Sequence, residues 1–192
     1  MPIRGKINNR GITLIETIIG LTISALLVVI LSYCLIIVLR LNEAQKTVSA
    51  LTSSTDRGIY RISSSIQQSS QILSSAVIFG TTHTTSSSAL VLKIPTVNSS
   101  GQIISGSYDT VVYRRNPSDL SELQEITDAE AGSARFDGTH IIARFVTNLL
   151  FRYNNSDYSS ASTATVFLKT GTTVRGVLKE SANQTTVRLR NL

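Results

Sequence analysis

The chain has 192 residues with 18 Lys and Arg against 12 Asp and Glu, two histidines, one cysteine and no tryptophan. One cysteine excludes an intrachain disulfide, and the charge is modest: Arg4, Lys6 and Arg10 precede Gly11, and without them the net charge is about +3. A strongly basic nucleic-acid-binding class is therefore not indicated, because phosphate binding normally shows a pronounced basic bias.

Residues 1–11, MPIRGKINNRG, are polar and basic and end in glycine. Residues 12–39, ITLIETIIGLTISALLVVILSYCLIIVL, are apolar except for scattered hydroxyls and one acid, Glu16. About 20 apolar residues suffice to span a bilayer as a helix, so this run is long enough. A cleaved secretory signal has a shorter core followed by a small-residue cleavage site. The RLNEAQK that follows this run offers none. The basic flank precedes the run without acids, which predicts a single-pass segment with its N-terminus in the cytoplasm. Cys34 lies inside the run and reads as a small apolar filler.

Glu16 needs a reason, because a charge within a membrane helix costs about 2.5–3.5 kcal/mol on insertion scales. One reading places it against the positive end of the helix dipole. A second begins with cleavage after Gly11, which creates an amine on Ile12. An α-amine titrates at about 8 and is cationic at neutral pH. Glu16 would pair with that amine on its own chain or on a neighbouring helix, and pairing with a neighbour would fix the register between two apolar helices.

The helical period continues past Arg40, with Leu41, Ala44, Val48, Leu51, Ile59, Ile62 and Ile66 in steps of three and four and Thr55 filling the gap. Gly58 should weaken this stretch by about 1 kcal/mol relative to alanine. The serine-rich segment 63–75 sets the helix end near Ser70 to Leu73, so residues 41–75 are read as an amphipathic extension. Residues 76–192 then carry short apolar runs punctuated by glycine and proline. Candidate strands are Ala76–Phe79, Ala89–Ile94, Thr110–Arg114, Leu123–Ile126, His140–Val146, Leu149–Tyr153, Thr165–Lys169, Val174–Lys179 and Thr185–Arg190. Lys169-Thr170-Gly171-Thr172 reads as a hairpin turn. In the final run Val187 and Leu189 should face inward, and Arg188 and Arg190 outward. One long helix followed by many strands predicts an α+β fold, with the amphipathic half-helix on a mostly antiparallel sheet in an extracytoplasmic β-rich domain.

Gly11-Ile12-Thr13-Leu14-Ile15-Glu16, with the basic leader and the apolar helix, resembles the processing site of prepilins of the type IV pilin family. The resemblance implies cleavage after Gly11 by a prepilin peptidase, methylation of the new N-terminus at Ile12, and an assembly role for Glu16 at the fifth mature position. It also implies the α+β pilin layout, with residues 1–11 as leader and 12–40 as the transmembrane and filament-core helix. Partners would be other pilin or pseudopilin subunits, the peptidase, an inner-membrane assembly platform and, before assembly, membrane lipid. Ile12 stands where the family usually has phenylalanine, and Tyr33 where many members have a kinking proline. The serine-rich helix end, the IIARFVTNLLFRY run and the ending VRLRN are similar to W-type minor pilins and to J-type pseudopilins of type II secretion. An alternative within the family is a DNA-binding or adhesive subunit of a DNA-uptake filament.

Catalysis is not expected. His83 and His140 lie in no metal-ligand spacing, and no nucleophile elbow or phosphate loop is present. His83 is expected in an exposed loop and His140 at a surface or edge position. Asp119, Glu122, Glu125, Asp128, Glu130 and Asp137 form an acidic run that reads as plain solvated surface, with a calcium site as the alternative. Arg114, Arg115, Arg144, Arg152, Arg188 and Arg190, with Tyr113, Phe145 and Tyr153, are read as the polar face of a sheet with the aromatics in the core. Nucleic-acid stacking is the alternative.

Overall fold

The computed structural model describes residues 13–190. Its elements are a 55-residue helix α1 (Leu14–Gln68) and ten strands: β1 (Gln71–Ile72), β2 (Ser75–Ile78), β3 (Thr81–Thr84), β4 (Ala89–Val97), β5 (Ile103–Arg115), β6 (Leu123–Asp128), β7 (Gly138–Ala143), β8 (Val146–Tyr153), β9 (Thr163–Val174) and β10 (Val177–Arg188). A short 3-10 turn, Tyr158–Ser160, precedes β9. The chain divides into two compact units, one ending at Gln45 and one beginning at Lys46.

In the first unit the apolar helical residues bury nothing: large side chains from Leu14 to Leu41 are all exposed. Three of its hydroxyls are satisfied within the helix. Thr17 donates to the Thr13 carbonyl at 3.4 Å, Ser32 to Val28 at 2.7 Å, and Thr22 to Ile18. Bonding four residues back lets Ser and Thr sit in an apolar helix without an orphaned donor.

The second unit is the expected α+β arrangement. A five-stranded antiparallel sheet has the order β1-β4-β5-β6-β7, a second sheet the order β10-β9-β8, and β2 and β3 form a separate hairpin. The helical segment of this unit buries Leu51, Thr55, Gly58, Ile59, Ile62, Ser65 and Ile66. They pack with Leu90, Leu92, Val111 and Tyr113 of the larger sheet and Leu149, Phe151, Val166 and Leu168 of the smaller. The other face of the larger sheet is also covered, by Ile78 of β2 against Val91, Val112 and Ile126. Two-sided burial explains why β4 reads as a continuous apolar run rather than an alternation.

Several expectations are corrected. The helix ends at Gln68, not between Ser70 and Leu73, because Ser69 turns back on the Ile66 carbonyl and Ser70 bonds Lys93 of β4. Its buried stripe starts at Leu51, and Val48 is exposed. The hairpin turn is Arg175-Gly176, with Arg175 at φ 51 and Gly176 at φ 78, not Lys169–Thr172. Gly171 instead sits within β9 opposite Glu180, where a Cβ would lie 3.3 Å from Thr147 and from Glu180. The turn therefore splits the expected strand Val174–Lys179. Likewise His140–Val146 breaks at Phe145, which adopts φ 61 between β7 and β8. Val187 and Leu189 are buried while Arg188 and Arg190 are exposed, as the alternation predicts.

Gly58 has a packing reason. A Cβ there would stand 2.6 Å from Leu168 and 3.2 Å from Ala143, so the glycine lets the helix approach both sheets closely. Beside it, the Thr55 and Thr170 hydroxyls meet at 2.8 Å, and Thr170 donates to the Leu51 carbonyl at 3.2 Å. Thr55, which with Ser65 is one of two polar residues in the buried stripe, is thus paired across the interface, as burial of a hydroxyl requires.

Candidate assembly site at the helix start

Thr13 and Glu16 open α1 as a reciprocal pair. The Glu16 N–H donates to Thr13 Oγ1 at 3.3 Å, and the Glu16 carboxylate accepts from the Thr13 N–H at 3.1 Å and its hydroxyl at 3.2 Å. This is a capping box, which satisfies donors that the first helical turn leaves unpaired. The carboxylate is thereby folded back over the helix start, onto Thr13. Thr13 was missed by the sequence reading, although Thr-x-x-Glu before an apolar run is its signature. Gly11 and Ile12, with Arg4, Lys6 and Arg10, lie outside the described residues.

Among the described residues α1 is the one helix long and apolar enough to cross a membrane, and none of its most apolar window is buried. The site is therefore an acid at the first turn of a helix whose apolar stretch from Leu14 to Leu41 lacks a cover.

The other candidates are dispersed through the second unit. Glu125, inside the expected acidic run, is buried and holds Arg61 of α1 in a two-pronged pair at 2.7 and 2.8 Å. That bond raises the Arg61 guanidinium above its ordinary value. It clamps the helix to β6 beside the Ser65–Tyr113 bond of 2.6 Å, and burial pushes the Tyr113 phenol up. Glu122 bonds Asn116 at 3.0 Å and faces Arg144 at 3.8 Å. Asp119 caps a turn through Ser121, and Asp137 accepts the Ala129 N–H. The run is thus broken into local partnerships. Among the described residues no three of His, Cys, Asp and Glu gather in a way that could hold a metal ion.

The most buried acid lies outside that run. Asp109 accepts from Thr96 at 3.0 Å, the Glu130 N–H at 2.9 Å, Ser133 at 2.8 Å and Arg135 at 2.5 Å. Burial works to raise its carboxyl, but these donors outweigh it and hold it below the usual value. Arg135 also reaches the Pro95 carbonyl and Gln68, so Asp109 pins the loop after β6 to the helix end.

His140 is exposed on β7, at the edge of its sheet, as expected. His83 is not in an exposed loop: it lies in β3 and is 5% exposed. Burial, with Arg114 nearby, pushes its imidazole below the ordinary value. Of the aromatics, Tyr113 is in the core and Tyr153 is partly buried, bonding the Ser86 and Ala89 carbonyls. Phe145 departs from expectation and is 45% exposed. Arg115 is used on the Leu120 and Val146 carbonyls, so the arginine and aromatic set does not form one stacking platform.

Residues 6–32 match the family model described as the prokaryotic N-terminal methylation motif. The match takes in residues 6–11, Glu16 and most of the apolar run, and it supports a type IV pilin-like, prepilin-processed subunit. The motif marks a structural filament subunit, not an enzyme, with other pilin subunits and a prepilin peptidase as its general partners. Together with the apolar helix it supports a membrane-anchored pilin that later enters a filament. The chain matches no curated protein and no solved structure.

Proposed function

We propose that the chain is a minor pilin or pseudopilin, cut by a prepilin peptidase after Gly11 and assembled through its N-terminal helix. Before assembly it sits in the cytoplasmic membrane as a single span with its N-terminus inside, Arg4, Lys6 and Arg10 holding that orientation. The observation that carries this reading is the placement of Glu16. Its carboxylate is held by Thr13 at the first turn of α1, whose apolar stretch from Leu14 to Leu41 is exposed, within the methylation motif.

The chemistry follows from that placement. In lipid, apolar helices gain little from each other that lipid tails do not already supply. Leaving the membrane for a filament therefore requires helix-on-helix packing, and greasy contact alone does not set a register. A carboxylate at the helix start supplies it, because an amine uncovered at Ile12 is the nearest cation of opposite sign. The amine of a neighbouring subunit docked at the right height meets the same need. The similarity to W-type and J-type subunits supports a low-abundance position near a filament tip, in a pilus or a secretion pseudopilus.

Glu16→Ala tests the reading. The variant should enter the membrane and lose its leader as the parent does, yet fail to appear in sheared filament fractions. A variant that assembles at parental levels would refute an assembly role for the acid.

A further inference from the structure

The end of the globular unit that carries Lys46 presents an apolar and basic surface that its fold does not use. Phe145 is 45% exposed, Val177 54% and Leu178 59%. Phe145 is held there firmly. The Arg144 N–H donates to Ser54 Oγ at 2.8 Å, the same hydroxyl donates to the Arg144 carbonyl at 2.9 Å, and the Phe145 carbonyl accepts from the Gly171 N–H at 2.8 Å. A bulky residue at φ 61 is costly backbone, and here it turns an aromatic ring outward rather than into the core.

Val177 and Leu178 follow the turn of the β9–β10 hairpin, opposite Val174 and Thr173. Thr170 bonds the Leu51 carbonyl, and four residues further Val174 lines a hollow of about 370 Å³ with Lys46, Thr47, Ala50 and Phe145. The turn at Arg175-Gly176 therefore reaches at least as far as Lys46, the first residue of the unit. Leu41, where the apolar run ends, is only five residues earlier, about 8 Å along a helix. Lys46 and Lys179 form no ion pair among the described residues, whereas the only acid on the hairpin, Glu180, is neutralised by Lys169 at 2.7 Å.

We infer that Phe145, Val177 and Leu178, with Lys46 and Lys179, form a docking surface for an anionic phospholipid headgroup layer in the membrane-held subunit. The inference rests on the proposal that α1 spans the bilayer. Apolar side chains among basic ones are the composition that settles at a membrane interface, and lysines near an anionic surface add attraction. The surface holds the globular unit down on the membrane before assembly and releases it on extraction.

The chain has no tryptophan, so one introduced residue is a unique reporter. Full-length Leu178→Trp and a control, Phe136→Trp, are placed in nanodiscs at one copy per disc with brominated lipids. Phe136 is 65% exposed and adjoins Arg135, which bonds Gln68 at the far end of the helix. Leu178→Trp should lose most of its emission in anionic discs and less in zwitterionic ones, and Lys46→Gln with Lys179→Gln should abolish that difference. The control should stay bright in both. Equal emission from the two reporters, quenching that ignores headgroup charge, or a change seen only with two copies per disc would each overturn the inference, the last assigning the surface to a second subunit. Carbonate resistance is measured in parallel. A chain that carbonate strips from the membrane defeats the spanning reading, whereas an inserted chain with a bright Leu178→Trp defeats only this inference.

Discussion

Two stretches of one helix obey opposite rules. From Leu51 to Ile66 the apolar residues recur on a stripe, and that stripe is buried by the two sheets. From Leu14 to Leu41 they occur all round, and every large one is exposed. The first pattern is satisfied within the chain. The second needs a cover from outside, which on the proposed function is lipid before assembly and other helices after it. Their polar residues differ in the same sense. Thr55 and Ser65 find partners on the sheets, whereas among the described residues Glu16 bonds Thr13 of its own first turn.

The contrast is broken most completely by blocking the cut. Gly11→Val should leave the subunit in the membrane with its leader attached and absent from filaments, with an intact mass larger by the leader. The buried stretch is broken by filling its closest approach. Gly58→Val should destabilise the globular unit by about 3 kcal/mol, since overpacking typically costs 1–3, and a β-branched residue recovers little helix propensity. Denaturant unfolding of the full chain in detergent measures this. The same change should leave membrane insertion untouched.

Arg61→Met comes next. It leaves the buried Glu125 carboxylate without its partner. Removing one member of a buried pair costs about 3–5 kcal/mol, but Arg61 is half exposed and water screens the pair. A loss of about 2 kcal/mol is expected in the same unfolding experiment, and Glu125→Gln in the Arg61→Met background should recover part of it.

The smallest effects come from pH. His83 has a lowered value when folded, so the folded unit binds fewer protons than the unfolded chain below about pH 6.5. Its contribution is complete above that pH and shrinks as pH falls toward the folded value. His83→Gln should flatten the stability profile there. Asp109, also lowered, contributes fully above about pH 4, the unfolded range, and loses that contribution as pH falls through its folded value. Asp109→Asn should remove the corresponding acid limb.

Legibility in the sequence followed the same division. The apolar run, Glu16 and the stripe from Leu51 to Ile66 were readable because periodicity and composition act locally. The final alternation around Val187 was readable for the same reason. The break at Phe145 was not, because phenylalanine carries no turn signal and its φ is set by bonds to Ser54 and Gly171 from distant elements. Gly171 misled the turn assignment, because a glycine needed for close approach to Thr147 looks like one needed for a bend. The Thr-rich β3 lacked apolar alternation, so burial of His83 was invisible. At the helix start, Glu16 stands out in the sequence as a lone acid, whereas its capping partner Thr13 does not. The apolar run drew the reading toward charge and depth, away from the hydroxyl three residues before the acid.

On the proposed function a protease uncovers an amine at Ile12, within one helical turn of Glu16 in the sequence. N-terminal sequencing with intact mass, on the subunit taken from cells, tests it most directly. The account predicts a chain that begins at Ile12 and carries one added methyl group. A subunit that still begins with MPIRGKINNRG would contradict it.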